Sequence, residues 1–463
     1  MTADQDYLAR RQLRRGATGW FLLAGLGVSY VISGDFAGWN FGIGEAGWGG
    51  FVVAAAAMAL MYFSLVLTLA ELSSAIPTAG AGYSFARQAM GVTGGFITGL
   101  AILIEYALAP AAIVIFIGAA TDELLGVDGP WVYAGFYAVF IGIHAIGVGE
   151  ALRVMLAITG LAVVAILLTA GTLLGSFDAG RLLDIPSPAG VTGEFLPFGW
   201  YGVWAALPFA MWLFLAVEGV PLAAEEANDP AKDVPRGIIV AMLFLVFTAA
   251  LVTVLLPGAV GAAALGASPV PLVDALKLAG FASLGKLVNA LGLAGLIASF
   301  FSIIYGYSRL VFALSRAGYL PRSLSLTSSR QVPVRALLVP GIFGFFMSLS
   351  GAGDRMLAMA VVGATVSYAL MAASHLLLRL RQPALHRPYR TPGGIFTSGL
   401  CLLLSVLALT GVYAYDPLAF LFTMSLFACG GIYFFSFGRH HLTASSAEEE
   451  FALLANAETT LKT

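Results

Sequence analysis

Residues 18–43 read TGWFLLAGLGVSYVISGDFAGWNFGI, an apolar run broken in its middle by Val31-Ile32-Ser33-Gly34-Asp35. About 20 mostly apolar residues cross a bilayer as a helix, so this run is long enough to span. An acid beside a glycine at mid-span needs a reason. The same feature recurs in the run 200–227, which carries Ala216-Val217-Glu218-Gly219 with Pro221 just after. Working outward, apolar runs between polar or Pro/Gly breaks lie near 18–43, 48–74, 92–121, 131–148, 152–175, 200–227, 236–257, 283–316, 333–350, 354–379, 395–414 and 416–437. The interrupted runs are the first and the sixth. They are five spans apart, and five is odd, so a second copy of a five-helix unit would be inverted in the membrane. Paired broken helices in an inverted repeat point to a transport site at the bilayer midplane.

Composition agrees. Of the 463 residues, 59% are hydrophobic and 10% charged, against about 25% charged in an average soluble domain. So much apolar surface cannot be hidden in water-soluble domains of this length. A net charge of -2 gives no basic surface for nucleic acid. Cys401 and Cys429 both sit in apolar runs, which implies no disulfide framework. Four arginines (Arg10, Arg11, Arg14, Arg15) precede the first run, which is too long for a signal-peptide core. With the N-terminus inside, nineteen of the 23 Lys and Arg fall on the cytoplasmic side; the others are Arg181, Lys277, Lys286 and Arg355. A miscounted span would scramble that asymmetry. The expectation is therefore an all-α polytopic membrane protein of about twelve spans, with discontinuous helices 1 and 6 and both termini cytoplasmic. Residues 1–17 form an N-terminal segment, 18–175 the first repeat, 198–380 the inverted second repeat, and 395–437 spans eleven and twelve. Residues 438–463 form a polar tail that is amphipathic or disordered.

Charges in hydrocarbon cost about 2.5–3.5 kcal/mol on insertion scales. The deep candidates are Asp35, Glu105 and Glu218, with His144 and His375 nearer the span ends as packing or interfacial residues. No Lys or Arg falls at mid-span. Either a cationic cargo supplies the missing charge, or some acids stay protonated, and alternation between the two would couple cargo to protons. Glu105 has only small or apolar neighbours one turn away, so it either functions or bonds an adjacent helix. Trp212 lies six residues before Glu218, about 1.7 turns, so only an unwound segment brings both to one cavity. Its ring face suits an ammonium group. Gly34, Gly38, Gly42 and Gly91, Gly95, Gly99 have the spacing of close helix contacts. Glu225, Glu226 and Asp229 belong to a charged turn that reads as a structural latch.

Three segments carry a family resemblance. Glu71-Leu72 is followed by Pro77, Gly80, Tyr83, Arg87 and Gly91; Glu105-Tyr106 lies on span three; and Trp212 to Glu218 is followed by Ala224-Glu225-Glu226, Asn228, Pro230 and Pro235. Together they resemble the amino acid–polyamine–organocation transporter superfamily, over spans one to ten. The resemblance implies a five-plus-five inverted repeat with substrate between spans one, three, six, eight and ten. In that family the span-one break is Ile-Gly-Ser-Gly-Ile-Phe-like, and its free amides hold the substrate carboxylate. Here Ile32 replaces a glycine and Asp35 an apolar residue. A fixed anion there repels a carboxylate and suits an amine without one. The stretch 33–42 also resembles the bacterial ethanolamine permease subgroup.

By that resemblance Ser33, Gly34, Asp35 and Phe36 form the span-one binding break. Trp212 is an aromatic gate, and Glu218 is tied to gating or proton sensing. Glu105, Trp212 and Glu218 are also the expected coupling and gating residues. Some proton-coupled relatives carry a span-five lysine; the position near Gly160 has none. Ser299 and Ser302 are candidate sodium ligands, or bond their own helix. The expected activity is import of ethanolamine or a similar small amine across the cytoplasmic membrane by alternating access, coupled to a proton. The alternative is a general amino acid permease or exchanger. Intramembrane enzyme motifs such as HExxH and GxSG are absent from the sequence, and Ser33-Gly34-Asp35 only faintly echoes GxGD. No enzyme activity, cofactor or metal is expected, and the partners are the lipid bilayer and the amine.

Overall fold

A computed structural model describes residues 16, 18–146, 151–187 and 193–444. Arg10, Arg11, Arg14, Arg15 and Lys462, with most of the polar tail, lie outside the described residues. Among the described residues the fold is helical, without strands. Among the described residues, nine helices are long and apolar enough to cross a membrane, and three shorter apolar ones, Trp20–Phe36, Pro130–Ile146 and Val334–Ser348, complete the twelve runs. In chain order the spans are α1 (Trp20–Phe36), α2 (Phe41–Ala75), α3 (Gly82–Leu125), α4 (Pro130–Ile146), α5 (Ala151–Leu173) and α6 (Leu207–Glu226). They continue as α7 (Pro230–Val260), α8 (Ala282–Arg316), α9 (Val334–Ser348), α10 (Gly353–Arg381), α11 (Ile395–Tyr415) and α12 (Pro417–Ser436).

The packing carries the repeat. α3 lies along α10, and α8 lies along α5. α1 packs on α7 and α5, while α6 packs on α2 and α10. α2 meets α7, α3 meets α8, and α4 meets α9. Shifting every index by five exchanges the first six pairings two by two and returns each of the last three to itself. That is the signature of two copies of one five-helix unit, and the odd number of crossings makes them antiparallel. α11 and α12 stand outside the exchange, against α2, α10 and α3.

Two glycines set the span boundaries. Gly47 (φ 70°) interrupts α2 and Gly91 (φ 73°) interrupts α3. Positive φ strains any residue with a Cβ, which is why the chain reorients there. The apolar runs beginning at 48 and 92 thus start where the backbone turns. The glycine spacing reads differently in part. Gly34, Gly42, Gly95 and Gly99 are close-contact positions, as expected. Gly38 (φ 96°) is both a close contact, 2.8 Å from the Trp212 indole nitrogen to a Cβ placed there, and a backbone turn, while Gly91 serves a turn alone.

The break in the first span also moves. Residues 31–35 were its expected place, yet α1 stays helical through Phe36 after one interrupted rung near Ile32. The departure from helix is at Ala37 (φ −157°, ψ 155°) and Gly38, where a residue free of Cβ tolerates positive φ. In α6 the helix ends at Trp212, Ala216 is left-handed (φ 75°), and the chain resumes as 3₁₀ turns over Val217–Glu226.

Candidate functional site

The two breaks lie against each other. A Cβ on Gly34 would sit 2.6 Å from the Trp212 carbonyl oxygen, so only glycine lets these backbones meet. The Trp212 indole Nε1 donates to the Ala37 carbonyl at 3.0 Å. Its ring meets Phe116 of α3 edge-on, at 6.1 Å between centroids. Phe36 is pressed onto Gly292 and Gly295 of α8, where any side chain would collide with its ring. A cavity lined by Phe36, Ala37, Phe116, Val288, Asn289 and Leu296 opens on this side. Two of its wall residues, Ala37 and Phe116, also contact Trp212.

Deeper in the bundle, Glu105 and Glu218 share one tyrosine. The Tyr368 hydroxyl of α10 lies 2.7 Å from Glu218 Oε2 and 3.2 Å from Glu105 Oε1. Tyr106 donates to Glu218 Oε1 at 2.8 Å. Tyr62 of α2 donates to the Tyr368 oxygen at 3.4 Å. A phenol has one proton. The shorter contact takes the Tyr368 proton to Glu218, so the contact to Glu105 asks for a proton from the carboxyl pair itself. Glycines make room for these rings: a Cβ on Gly219 would lie 2.7 Å from the Tyr106 oxygen, and one on Gly306 would lie 2.8 Å from the Tyr30 oxygen.

Asp35 stands apart. It is 1% exposed, and neither carboxylate oxygen has a hydrogen-bond partner among the described residues. Thr248 of α7 is a weak side-chain hydrogen-bond neighbour of Asp35, and its hydroxyl is bonded to the Leu245 carbonyl at 3.2 Å. Glu105 and Glu218 interact with each other but not with Asp35. The structure therefore gathers Trp212 and Phe36 at the cavity, Glu105 and Glu218 in the tyrosine cluster, and Asp35 alone toward α7. The Ser33 amide is held by the Ser299 hydroxyl at 3.0 Å. Ser299 thus bonds α1 rather than its own helix, while Ser302 bonds its own Ala298 carbonyl at 2.8 Å.

The buried acids near one end of the bundle are treated differently. Glu71 accepts from Arg379 Nε at 2.9 Å, Arg387 Nε at 3.0 Å, the Thr391 amide at 2.7 Å and His375 Nε2 at 3.2 Å. Glu226 pairs with Arg309 at 2.9 Å, and Glu225 pairs with Arg316 at 2.7 Å. These pairs tie α2 to α10 and α6 to α8. The charged turn is the latch its sequence suggested. His144 Nε2 lies 2.9 Å from the Phe301 carbonyl and packs on that ring. Sequence reasoning missed Tyr62 and Tyr368, offered Tyr106 only as part of a family motif, and offered Ser299 only as a sodium ligand or a bond to its own helix. The available signal was a tyrosine next to Glu105 and another in the apolar run of α10, since buried phenols need partners.

A profile of the family described as amino acid permease matches residues 19–435. The chain is 26% identical to the branched-chain amino acid permease BcaP of Bacillus subtilis, over 94% of this chain and 97% of that protein. It is 26% identical to the methylthioribose transporter of the same organism, over 90% of each. It is 27% identical to an uncharacterized transporter of Rhizobium meliloti, over 77% of this chain and 78% of that one. With nearly the whole bundle matched, and breaks in spans one and six, the chain belongs to the amino acid permease family of multi-pass membrane transporters.

Proposed function

We propose that this permease imports ethanolamine or a similar small amine by alternating access across the cytoplasmic membrane, with both termini inside. The two repeats, 18–175 and 198–380, would move against each other around the breaks. The supporting observation is Asp35: among the described residues, a buried carboxylate with no ion-pair partner and only the Thr248 hydroxyl as a weak side-chain neighbour. Such a group is stable when a cationic ligand or a proton completes it. In this reading the ammonium pairs with Asp35 once Trp212 swings from Ala37. Ser33, Gly34 and Phe36 frame that site, and Trp212 closes over it. The Glu105–Tyr368–Glu218 cluster holds the coupling proton.

A second reading, an amino acid permease or exchanger, is favoured by the apolar cavity beside Phe36, Phe116 and Leu296, which suits a hydrocarbon side chain. It is also favoured by the branched-chain substrate of one relative. Counterflow of labelled ethanolamine into liposomes holding the purified protein separates the two. Ethanolamine uptake supports the first reading. Robust leucine uptake with no ethanolamine counterflow removes it in favour of the second.

A further inference from the structure

The interrupted rung of α1 is not empty. In a regular helix the Ser33 N–H would donate to the Ser29 carbonyl, four residues back. Here the Ser299 hydroxyl of α8 stands between them. It accepts from the Ser33 N–H at 3.0 Å and donates to the Ser29 carbonyl at 2.7 Å. Ser299 is fully buried. On the other side of the same turn, the Ser29 hydroxyl lies 2.6 Å from the Thr159 hydroxyl of α5. Before it, Ile32 N–H still bonds the Val28 carbonyl at 2.9 Å; after it, Asp35 N–H bonds the Ile32 carbonyl three residues back at 3.2 Å, and the four-residue spacing returns where Ala37 N–H bonds the Ser33 carbonyl at 3.2 Å. The ladder is loosened over this turn, and at the Ser33 rung a side chain from another helix stands in the gap. An inserted side chain is one of the few recognised causes of a helix kink.

We propose that Ser299 is a positioning residue, a wedge that keeps α1 open one turn before its break and so sets where Gly34 and Asp35 stand against α6. The geometry makes an unusual demand. Removing an ordinary buried hydrogen-bonding side chain leaves its partners unsatisfied and destabilises the protein. Removing this one leaves two partners that can satisfy each other, because Ser33 N–H and Ser29 C=O are the natural i to i−4 pair. Without the hydroxyl the rung closes and α1 straightens. The fold keeps its stability while the binding geometry is lost. The wedge is independent of which substrate the permease carries, although it rests on the reading of these breaks as the transport site.

The test compares the parent protein with Ser299→Ala and Ser299→Thr in liposomes, using labelled ethanolamine and labelled leucine separately, together with thermal unfolding of each purified protein. Hydrogen–deuterium exchange of the α1 peptide containing Ser33 gives a readout that needs no substrate. The expected result for Ser299→Ala is a melting temperature equal to or above the parent's and slower exchange at that peptide. Apparent affinity should weaken by about tenfold or more for the substrate the parent carries, as when the competent conformation becomes a minor state. Ser299→Thr, which keeps the hydroxyl, should restore the parent's exchange and affinity. Unchanged or faster exchange at Ser33 in Ser299→Ala overturns the proposal, as does a lowered melting temperature with affinity within about twofold of the parent's. If the parent carries neither substrate, the transport reading of the site fails, and the exchange and melting results still decide the wedge.

Discussion

Glu71 and Asp35 are both carboxylates on the first two spans, each 1% exposed, and they could hardly be served more differently. Glu71 is held by Arg379, Arg387, His375 and the Thr391 amide. Among the described residues Asp35 has no ion pair, and only the Thr248 hydroxyl approaches it. Removing an ion from water costs several kcal/mol even after relaxation. At Glu71 that cost is offset by four donors, so the site is a fastening. At Asp35 no cation among the described residues offsets it, and the proposed amine would supply one. Glu105 and Glu218 fall between: tyrosines serve both Glu218 oxygens and Glu105 Oε1, while Glu105 Oε2 has no hydrogen-bond partner among the described residues. The contrast separates acids that hold the bundle together from acids left for something that arrives.

The sharpest way to break that contrast is to neutralise each acid. Asp35→Asn should abolish amine uptake. Losing one side of a buried charge pair costs about 2–5 kcal/mol, or roughly thirtyfold to several thousandfold in affinity. Folded yield and melting temperature should hold, because no partner is orphaned; counterflow and size-exclusion profiles check both. Glu71→Gln should do the reverse. It strands Arg379 and Arg387 and should lower stability by about 3–5 kcal/mol, read from thermal unfolding in detergent. If Asp35→Asn unfolds the protein while Glu71→Gln spares it, the division of roles is wrong.

A smaller effect is expected at the tyrosine cluster. Gly219→Ala would place a methyl 2.6 Å from the Tyr30 ring and 2.7 Å from the Tyr106 oxygen. Overpacking of this kind costs about 1–3 kcal/mol, and it should push Tyr106 off Glu218 and change the pH dependence of uptake. The smallest effect belongs to the loop between α11 and α12. Asp416 is partly buried, which pushes its carboxyl up, but the Ala419 and Leu418 amides and Arg355 hold it below the ordinary carboxylate range overall. A lowered value means the stabilisation is present at neutral pH and is lost as pH falls through the folded value. Arg355 is half exposed, so Asp416→Asn should cost under about 1 kcal/mol at pH 7, and nothing once both proteins are acid-titrated.

The fold was legible because bilayer chemistry leaves few choices. Twelve apolar runs appear as twelve helices, and the runs starting at 48 and 92 begin at the turns made by Gly47 and Gly91. The odd offset between the interrupted spans reappears as packing pairs that exchange under a shift of five. The position of the first break was less legible. Ser33-Gly34 looks like a helix breaker, but Ala37 and Gly38 are where the backbone leaves the helix, because Ser299 supplies the missing bond at Ser33. That bond comes from a residue 266 positions away in sequence. The three acids read as one electronegative cavity from their depth alone. Depth does not fix azimuth: Asp35 turns toward Thr248 on α7, while Glu105 and Glu218 turn toward Tyr368 on α10. Tyrosines inside apolar runs blend into hydrophobic patterning, so the partners of those acids stayed hidden.

The central claim is that Asp35 waits for a positive charge that its cargo brings. Equilibrium binding of ethanolamine to the purified protein and to Asp35→Asn, with leucine as the carboxylate-bearing competitor, tests it most directly. The account predicts saturable ethanolamine binding by the parent protein, none by the variant, and little displacement by leucine. Equal ethanolamine binding by both proteins, or leucine binding that survives in Asp35→Asn while ethanolamine never binds, would contradict it.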